Sequence, residues 1–74
     1  LDADLDWSMP VDIRTYIGKI GNSSFHVIQE AWQGGTEVAR GVAVLIHFDY
    51  ETEAALPIPD DIREKLAEHR VEGL

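Results

Sequence analysis

The 74-residue chain contains no cysteine. That removes disulfides and thiolate metal sites at once, and the three histidines, His26, His47 and His69, are too scattered to suggest a ligand set of their own. Basic residues are scarce, 6 against 14 acidic ones, for a net charge of −8. Of Arg14, Lys19, Arg40, Arg63, Lys65 and Arg70, only those near the C-terminus fall close together, so no patch exists to neutralise a nucleic acid or an anionic membrane. No apolar run approaches a membrane span, and the N-terminus has neither a basic region nor a signal-type apolar core. The lack of cysteine fits a reducing compartment, which makes the cytoplasm the expected location. The first residue is Leu rather than Met, so a processed, trimmed or incomplete product is expected.

What the chain does have is one long β-rich run, Glu37 to Asp49 (EVARGVAVLIHFD). In an extended strand Val38, Val42, Val44, Ile46 and Phe48 share one face, and Ala39, Gly41, Ala43, Leu45 and His47 the other. Both faces are mostly apolar, which predicts a strand covered on both sides at the centre of a sheet. Arg40 interrupts one face and reads as an edge charge or half of a dimer salt bridge. Seventy-four residues make one domain at most, and a domain so small is marginal without staples or partners.

In chain order, residues 1–10 alternate acids with Leu1, Ala3, Leu5 and Trp7, and read as an extended N-terminal segment because Asp is a poor strand former. VDIRTYIGKI, Val11 to Ile20, predicts an antiparallel strand with Val11, Ile13 and Ile17 on the buried face and Asp12, Arg14 and Tyr16 on the wet one. Gly21-Asn22-Ser23 is a turn, with Gly supplying positive φ and Asn and Ser bonding their own backbone. Phe25 to Gln33 is the next strand, and Gly34-Gly35 turns tightly into the long one. The three make an antiparallel meander over residues 11–49. Glu51 to Leu56 reads as a polar connection, Pro57-Ile58-Pro59 as stiff and extended, and Pro59-Asp60-Asp61 as a helix start with acids on the positive end of the dipole. The C-terminal helix, residues 59–70, carries only a thin apolar stripe of Ile62 and Leu66, helped by Ala67 and Val71. A sheet with a doubly apolar strand therefore lacks its cover, which must come from a second chain or from a longer domain.

The blocks IRTYIGKIGNSSF, QEAWQGG, VARGVAVLIHFDYET and LPIPDDIREKL, in this order and spacing, resemble the C-terminal half of hotdog-fold acyl-CoA thioesterases of the 4-hydroxybenzoyl-CoA thioesterase branch. The likeness runs from Met9 to Leu66. It implies an α+β, hotdog-like antiparallel sheet with a C-terminal helix, in dimers whose sheets continue across the interface. It also implies that the central helix and the catalytic carboxylate lie N-terminal to these strands, outside this sequence. The resemblance further places the Gly21–Ser24 hairpin near bound coenzyme A, with Asn22, Ser23 and Ser24 as donors and Lys19 as a point charge for a phosphate. An ordinary hairpin turn would choose the same residues.

A thioesterase of this kind uses a carboxylate as base or nucleophile and backbone N–H groups for the oxyanion. Asp2, Asp4, Asp6, Asp12, Glu30, Asp49, Asp60 and Asp61 are the carboxylates to weigh, and each reads first as a solvated charge, a turn former or a helix cap; Asp49 reads as a turn-starting acid. No catalytic residue is therefore assigned. His26 and His47 are expected in strands, as packing or interface residues, and His69 in the last helical turn, where a cation suits the dipole. Trp7 and Trp32 are expected in ordinary core packing rather than in an acyl pocket or subunit contact. The functional expectation is acyl-CoA thioester hydrolysis with its base outside the chain. The alternatives are a non-catalytic hotdog-like module that oligomerises through its sheet edge or face and holds an acyl or coenzyme A ligand, or an unrelated small α+β interaction domain. Neither metal nor cofactor is expected.

Overall fold

In the computed structural model, which describes residues 5–70, three antiparallel strands form one sheet in the order β1-β2-β3. These are β1 (Asp12–Ile20), β2 (Ser24–Gln33) and β3 (Thr36–Ile46); a two-stranded hairpin of β4 (Phe48–Asp49) and β5 (Ala54–Ala55) and the helix α1 (Asp60–Glu68) follow. The arrangement is an α+β meander closed by a helix. Gly34 and Gly35 both have positive φ, 55° and 79°, the conformation a two-residue hairpin loop demands and glycine adopts without penalty. Gly21 does not, so the first turn relies on its hydrogen bonds instead: Gly21 N–H donates to the Ser24 carbonyl at 2.7 Å.

Three expectations are corrected by this geometry. The long strand is not central: β2 takes that place, and β3 is an edge strand bonded only to β2 within the sheet. A meander puts its second strand in the middle whatever the composition of its third. The strand also stops at Ile46, short of Asp49, because His47 leaves the ladder: its N–H donates to the Ser23 carbonyl at 2.8 Å and its own carbonyl accepts from Leu56 N–H at 2.9 Å. His47 thus lies between strands, and the supposed connection after it contains β5. Finally, β1 buries the opposite face near its centre: Tyr16 is 8% exposed and Ile13 61%. The reason is a partner, Glu30, that gives the tyrosine hydroxyl somewhere to bond.

Two irregularities tune the sheet. Ala31 pairs with Ala39 but Trp32 with Glu37, which leaves Val38 as an extra residue, tucked in and buried. In β1 the register shifts between Ile17 and Ile20. Beyond it the C-terminal end of α1 closes on the outer edge of β1, where Ile17 N–H donates to the His69 carbonyl at 2.9 Å and Arg70 makes a parallel bridge to Ile17. The helix itself buries none of its residues, as its thin stripe leads one to expect.

At the other end, the side chain of Gln33 clamps the N-terminal segment. Its Oε1 accepts from Asp6 N–H at 2.8 Å and its Nε2 donates to the carbonyls of Asp6 and Met9 at 2.6 and 3.3 Å. Around Asp6 to Ser8 the expected extended segment is a tight turn, held by Asp6 Oδ1, which accepts from both Ser8 N–H and Ser8 Oγ. Those bonds hold the Asp6 carboxyl below the usual carboxylate range. Trp7 points into solvent, 86% exposed, and is not a core residue. Asp2, Asp4 and Val71 lie outside the described residues.

The radius of gyration is 15.6 Å, where a compact chain of this length would have about 11 Å. Among the described residues, Tyr16, Val38 and Ile58 are the buried hydrophobic ones, and no side chain is completely enclosed. The fold is an elongated sheet with a sparse core.

Candidate functional site

Two constellations gather the chain's chemistry, one on the middle of the sheet and one at its end. In the middle, the pairings Arg14–Glu30 and Glu30–Arg40 line up three charged residues across the three strands. Glu30 is only 6% exposed, and its two carboxylate oxygens are fully engaged. Oε1 accepts from Trp32 Nε1 at 2.8 Å with the Arg14 guanidinium at 3.9 Å; Oε2 accepts from the Tyr16 hydroxyl and from Arg40 Nη2 at 3.3 Å. Arg40 also holds Glu37 through Nε at 2.6 Å and Nη2 at 3.1 Å, and Arg14 stacks over the Trp32 ring at 5.6 Å.

The electrostatics follow from these contacts. The Tyr16 hydroxyl, then the Trp32 N–H, hold the Glu30 carboxyl below its ordinary range, with the arginines adding to the effect against the pull of burial. The same bond pushes the Tyr16 hydroxyl up, and Glu37 raises Arg40. A carboxylate kept ionised, with its acceptor sites taken, is a poor base. Glu30 is a structural acid, Arg40 serves an ion-pair network inside the chain, and Trp32 is a hydrogen-bonding member of that network rather than simple core.

At the end of the sheet the residues singled out by resemblance surround a braced turn. Lys19 and Asn22 are exposed, and Ser23 and Ser24 are half-buried. Main-chain carbonyls do the bracing: Asn22 accepts from Ile58 N–H at 2.9 Å and from Arg63 Nη2 at 3.1 Å, and Ser23 from His47 N–H. The Ser24 hydroxyl lies so close to Gly21 that a Cβ there would sit 3.2 Å from it. The side-chain groups of Asn22 and Ser23 touch only each other, at 3.4 Å, and remain available.

Directly beside the turn is an apolar groove of about 320 Å³, lined by Phe25, Leu45, Ile46, His47, Ile58 and Ile62. Its size is near the lower bound for small-molecule sites, and its lining is apolar apart from His47. His47 Nδ1 is 3.1 Å from the Pro57 carbonyl, which fixes the ring at the groove wall. The groove was not legible in the chain's periodicity, since it joins β2, β3 and the Pro57–Pro59 segment; its one sequence signal is the isolated Ile58 between two prolines.

The remaining carboxylates are accounted for individually. Asp49 Oδ1 accepts from Glu51 N–H at 2.9 Å and Thr52 N–H at 3.4 Å, which makes it a turn-starting acid with a lowered pKa. Asp12 is exposed on β1, and Asp60 and Asp61 are exposed in the first turn of α1. Among the described residues no group of three or more His, Asp or Glu is placed to hold a metal ion, and no helix is long and apolar enough to cross a membrane.

No curated protein matches the chain. A solved structure described as a predicted thioesterase from Bacillus stearothermophilus is 41% identical, with a TM-score of 0.73 over 86% of this chain and 48% of that one. The chain therefore spans about half the length of that neighbour, and its sheet and helix follow the hotdog-type arrangement found there. Residues 3–66 match the sequence profile of the Thioesterase-like superfamily, and with that match covering most of its length the chain belongs to this superfamily.

Proposed function

We propose that the chain takes part in hydrolysis of an acyl-CoA thioester, in the manner of the 4-hydroxybenzoyl-CoA thioesterase branch. The observation that carries this reading is the apolar groove of Phe25, Leu45, Ile46 and Ile58 set against a braced turn bearing Asn22, Ser23 and Ser24, with Lys19 on the strand leading into it. An acyl-CoA has the matching division, an apolar acyl group joined to a polar, phosphorylated carrier. In this reading the turn binds the carrier through Lys19, Asn22, Ser23 and Ser24, and the groove takes the acyl group. In this reading the base lies outside this chain, in keeping with a saturated Glu30 and an Asp49 committed to its turn. No cofactor enters, because carboxylate-assisted hydrolysis needs only water. The cytoplasm is the proposed location on the same absence of cysteine.

The chain works as a homo-oligomer joined through a sheet edge or face, a reading supported by its sparse core and bare third strand. The test is release of free thiol from acyl-CoA substrates of increasing acyl size, together with calorimetric titration of coenzyme A. Binding lost in Lys19→Ala and Asn22→Ala, with groove filling by Ile46→Trp changing acyl preference, is the expected result. Binding of acyl-CoA without thiol release would favour the second reading, a non-catalytic module, which the saturation of the buried Glu30 carboxylate also supports. No binding of either molecule would refute both.

A further inference from the structure

The Gly21–Ser24 turn carries the sequence's one asparagine, Asn22, followed directly by Ser23. An asparagine ahead of a small residue has a chemical route open to it, because the next backbone nitrogen can reach and attack its side-chain carbonyl carbon. In most of a fold that route is shut, since backbone N–H groups are spent in hydrogen bonds. Here it is open. Among the described residues Ser23 N–H makes no hydrogen bond, and the Asn22 side chain is exposed. Its Nδ2 touches Ser23 Oγ at 3.4 Å, which turns the side-chain amide toward residue 23, where the nucleophile is.

The peptide group between Asn22 and Ser23 is polarised by its surroundings. Its oxygen, the Asn22 carbonyl, accepts from Ile58 N–H at 2.9 Å and from the Arg63 guanidinium at 3.1 Å. Its nitrogen is the Ser23 N–H itself. When that nitrogen loses its proton, the negative charge spreads through the amide onto the carbonyl oxygen, where the two donors meet it, one of them cationic. Donors aimed at the charged form favour it, and donors already in place where charge develops act as an oxyanion site does. The turn thus eases deprotonation of Ser23 N–H, and the resulting anion is the nucleophile that the route requires.

We propose that Asn22 is a site of spontaneous deamidation, activated by the Ile58 N–H and the Arg63 guanidinium on its main-chain carbonyl. The Ser23 N–H proton passes to solvent base, the nitrogen bonds to Asn22 Cγ, and the Cγ–Nδ2 bond breaks with release of ammonia, leaving a succinimide ring. Water then opens the ring. Addition at Cγ gives aspartate, and addition at the main-chain carbonyl gives isoaspartate. Either product adds a carboxylate beside Lys19, in the turn assigned above to a phosphorylated carrier. That consequence rests on the thioesterase reading, and like charges there weaken binding. Isoaspartate also takes the braced carbonyl out of the main chain and inserts a methylene, which disturbs the bonds to Ile58 and His47 on either side. The turn therefore ages from a binding surface into a repelling one.

A single asparagine makes the test direct. The unmodified chain, held in mildly alkaline buffer, is followed by intact mass, which registers an amide turned into an acid, and by peptide mapping, which separates aspartate from isoaspartate at residue 22. Conversion is expected to run faster in the folded chain than in a synthetic peptide of residues 19–26, and to vanish in Asn22→Gln. Arg63→Met keeps the stem and removes the charge-assisted donor, and should slow conversion about three- to tenfold. A folded chain that converts no faster than the peptide, a comparison that needs no variant to fold, would overturn the proposal. Faster conversion in Arg63→Met would overturn it too, since bracing would then shield the turn; so would a mass change that maps to Gln29 or Gln33. Titration with coenzyme A before and after ageing reads the functional consequence, with weaker binding expected and equal binding overturning it. A fresh chain that binds no coenzyme A would sink the thioesterase reading and leave the deamidation result standing.

Discussion

Ile58→Ala is the perturbation that most directly tests how the end of the sheet is held. Ile58 is 5% exposed, flanked by Pro57 and Pro59, with its N–H on the Asn22 carbonyl and its side chain in the groove wall beside Phe25 and Ile46. Truncating a buried isoleucine to alanine costs about 2–5 kcal/mol, and because this groove is open and can settle after the loss, the low end, about 2 kcal/mol, is expected. Against a total stability of about 4–11 kcal/mol for a chain of this length, that is a large share. The assay is urea unfolding followed by Trp32 fluorescence at one fixed protein concentration, so that association does not shift the midpoint between variants. Thermal melting should show a fall of about 8–16 °C. Hydrogen exchange should also speed at His47, whose N–H bonds the same turn. Ile62→Ala, at an exposed position, serves as the comparison and should cost under about 1 kcal/mol. A loss below about 0.5 kcal/mol for Ile58→Ala, the range of a surface substitution, would refute the reasoning that this residue anchors the turn and groove.

Three further outcomes follow from particular contacts. Glu30 has a lowered pKa in the folded chain, chiefly through the Tyr16 hydroxyl, so its stabilisation is fully present above the unfolded value of about 4.3 and is lost as pH falls through the folded value. Urea midpoints measured from neutral to acid pH should therefore fall in the unmodified chain and fall less in Glu30→Gln. Gly34→Ala forces a side chain into positive φ and should cost roughly 1–2 kcal/mol by urea unfolding, with Gly34→Asn milder. Gly18→Ala places a Cβ 2.5 Å from Ile28 Cδ1; the flexible end of Ile28 can move, so thermal melting should show a loss of about 1 kcal/mol rather than failure to fold.

The order and type of the main elements were legible because they are local. Period-two runs, the Gly34-Gly35 turn and the Pro59-Asp60-Asp61 start each act within a few residues. The strand's place in the sheet was not, because an apolar strand looks the same at the centre or at an uncovered edge. Tyr16 was read as solvent-facing since its partner, Glu30, is brought opposite only by strand pairing. His47 was read as strand because its release from the ladder depends on carbonyls at Ser23 and contacts near Pro57, one far upstream and one downstream. At the candidate site the turn residues were legible only by family likeness, and Ile58, His47 and Arg63 entered through tertiary contacts that no spacing encodes.

Glu30 and Arg40 resolve a difficulty that the composition of β3 creates. A strand with one apolar face has its register fixed by hydrophobicity, since a slip of one residue turns the whole apolar set toward water. β3 is apolar on both faces between Gly41 and Ile46, so the same slip against β2 would exchange one apolar row for another. The charged row removes that degeneracy. Shifting β3 by one residue would carry Arg40 to the opposite face and leave Glu30, held among Tyr16 and Trp32, without its strongest cationic neighbour. A buried carboxylate deprived of a partner is costly even where the intact pair adds little net stability. The network therefore acts on uniqueness more than on stability, a use for which buried polar groups are best attested. Arg40→Leu should accordingly lower the urea midpoint and, as the sharper readout, give doubled amide resonances along β3 where the unmodified chain shows single ones. A uniform, singly resolved spectrum in that variant would mean that turn geometry at Gly34-Gly35 alone sets the register.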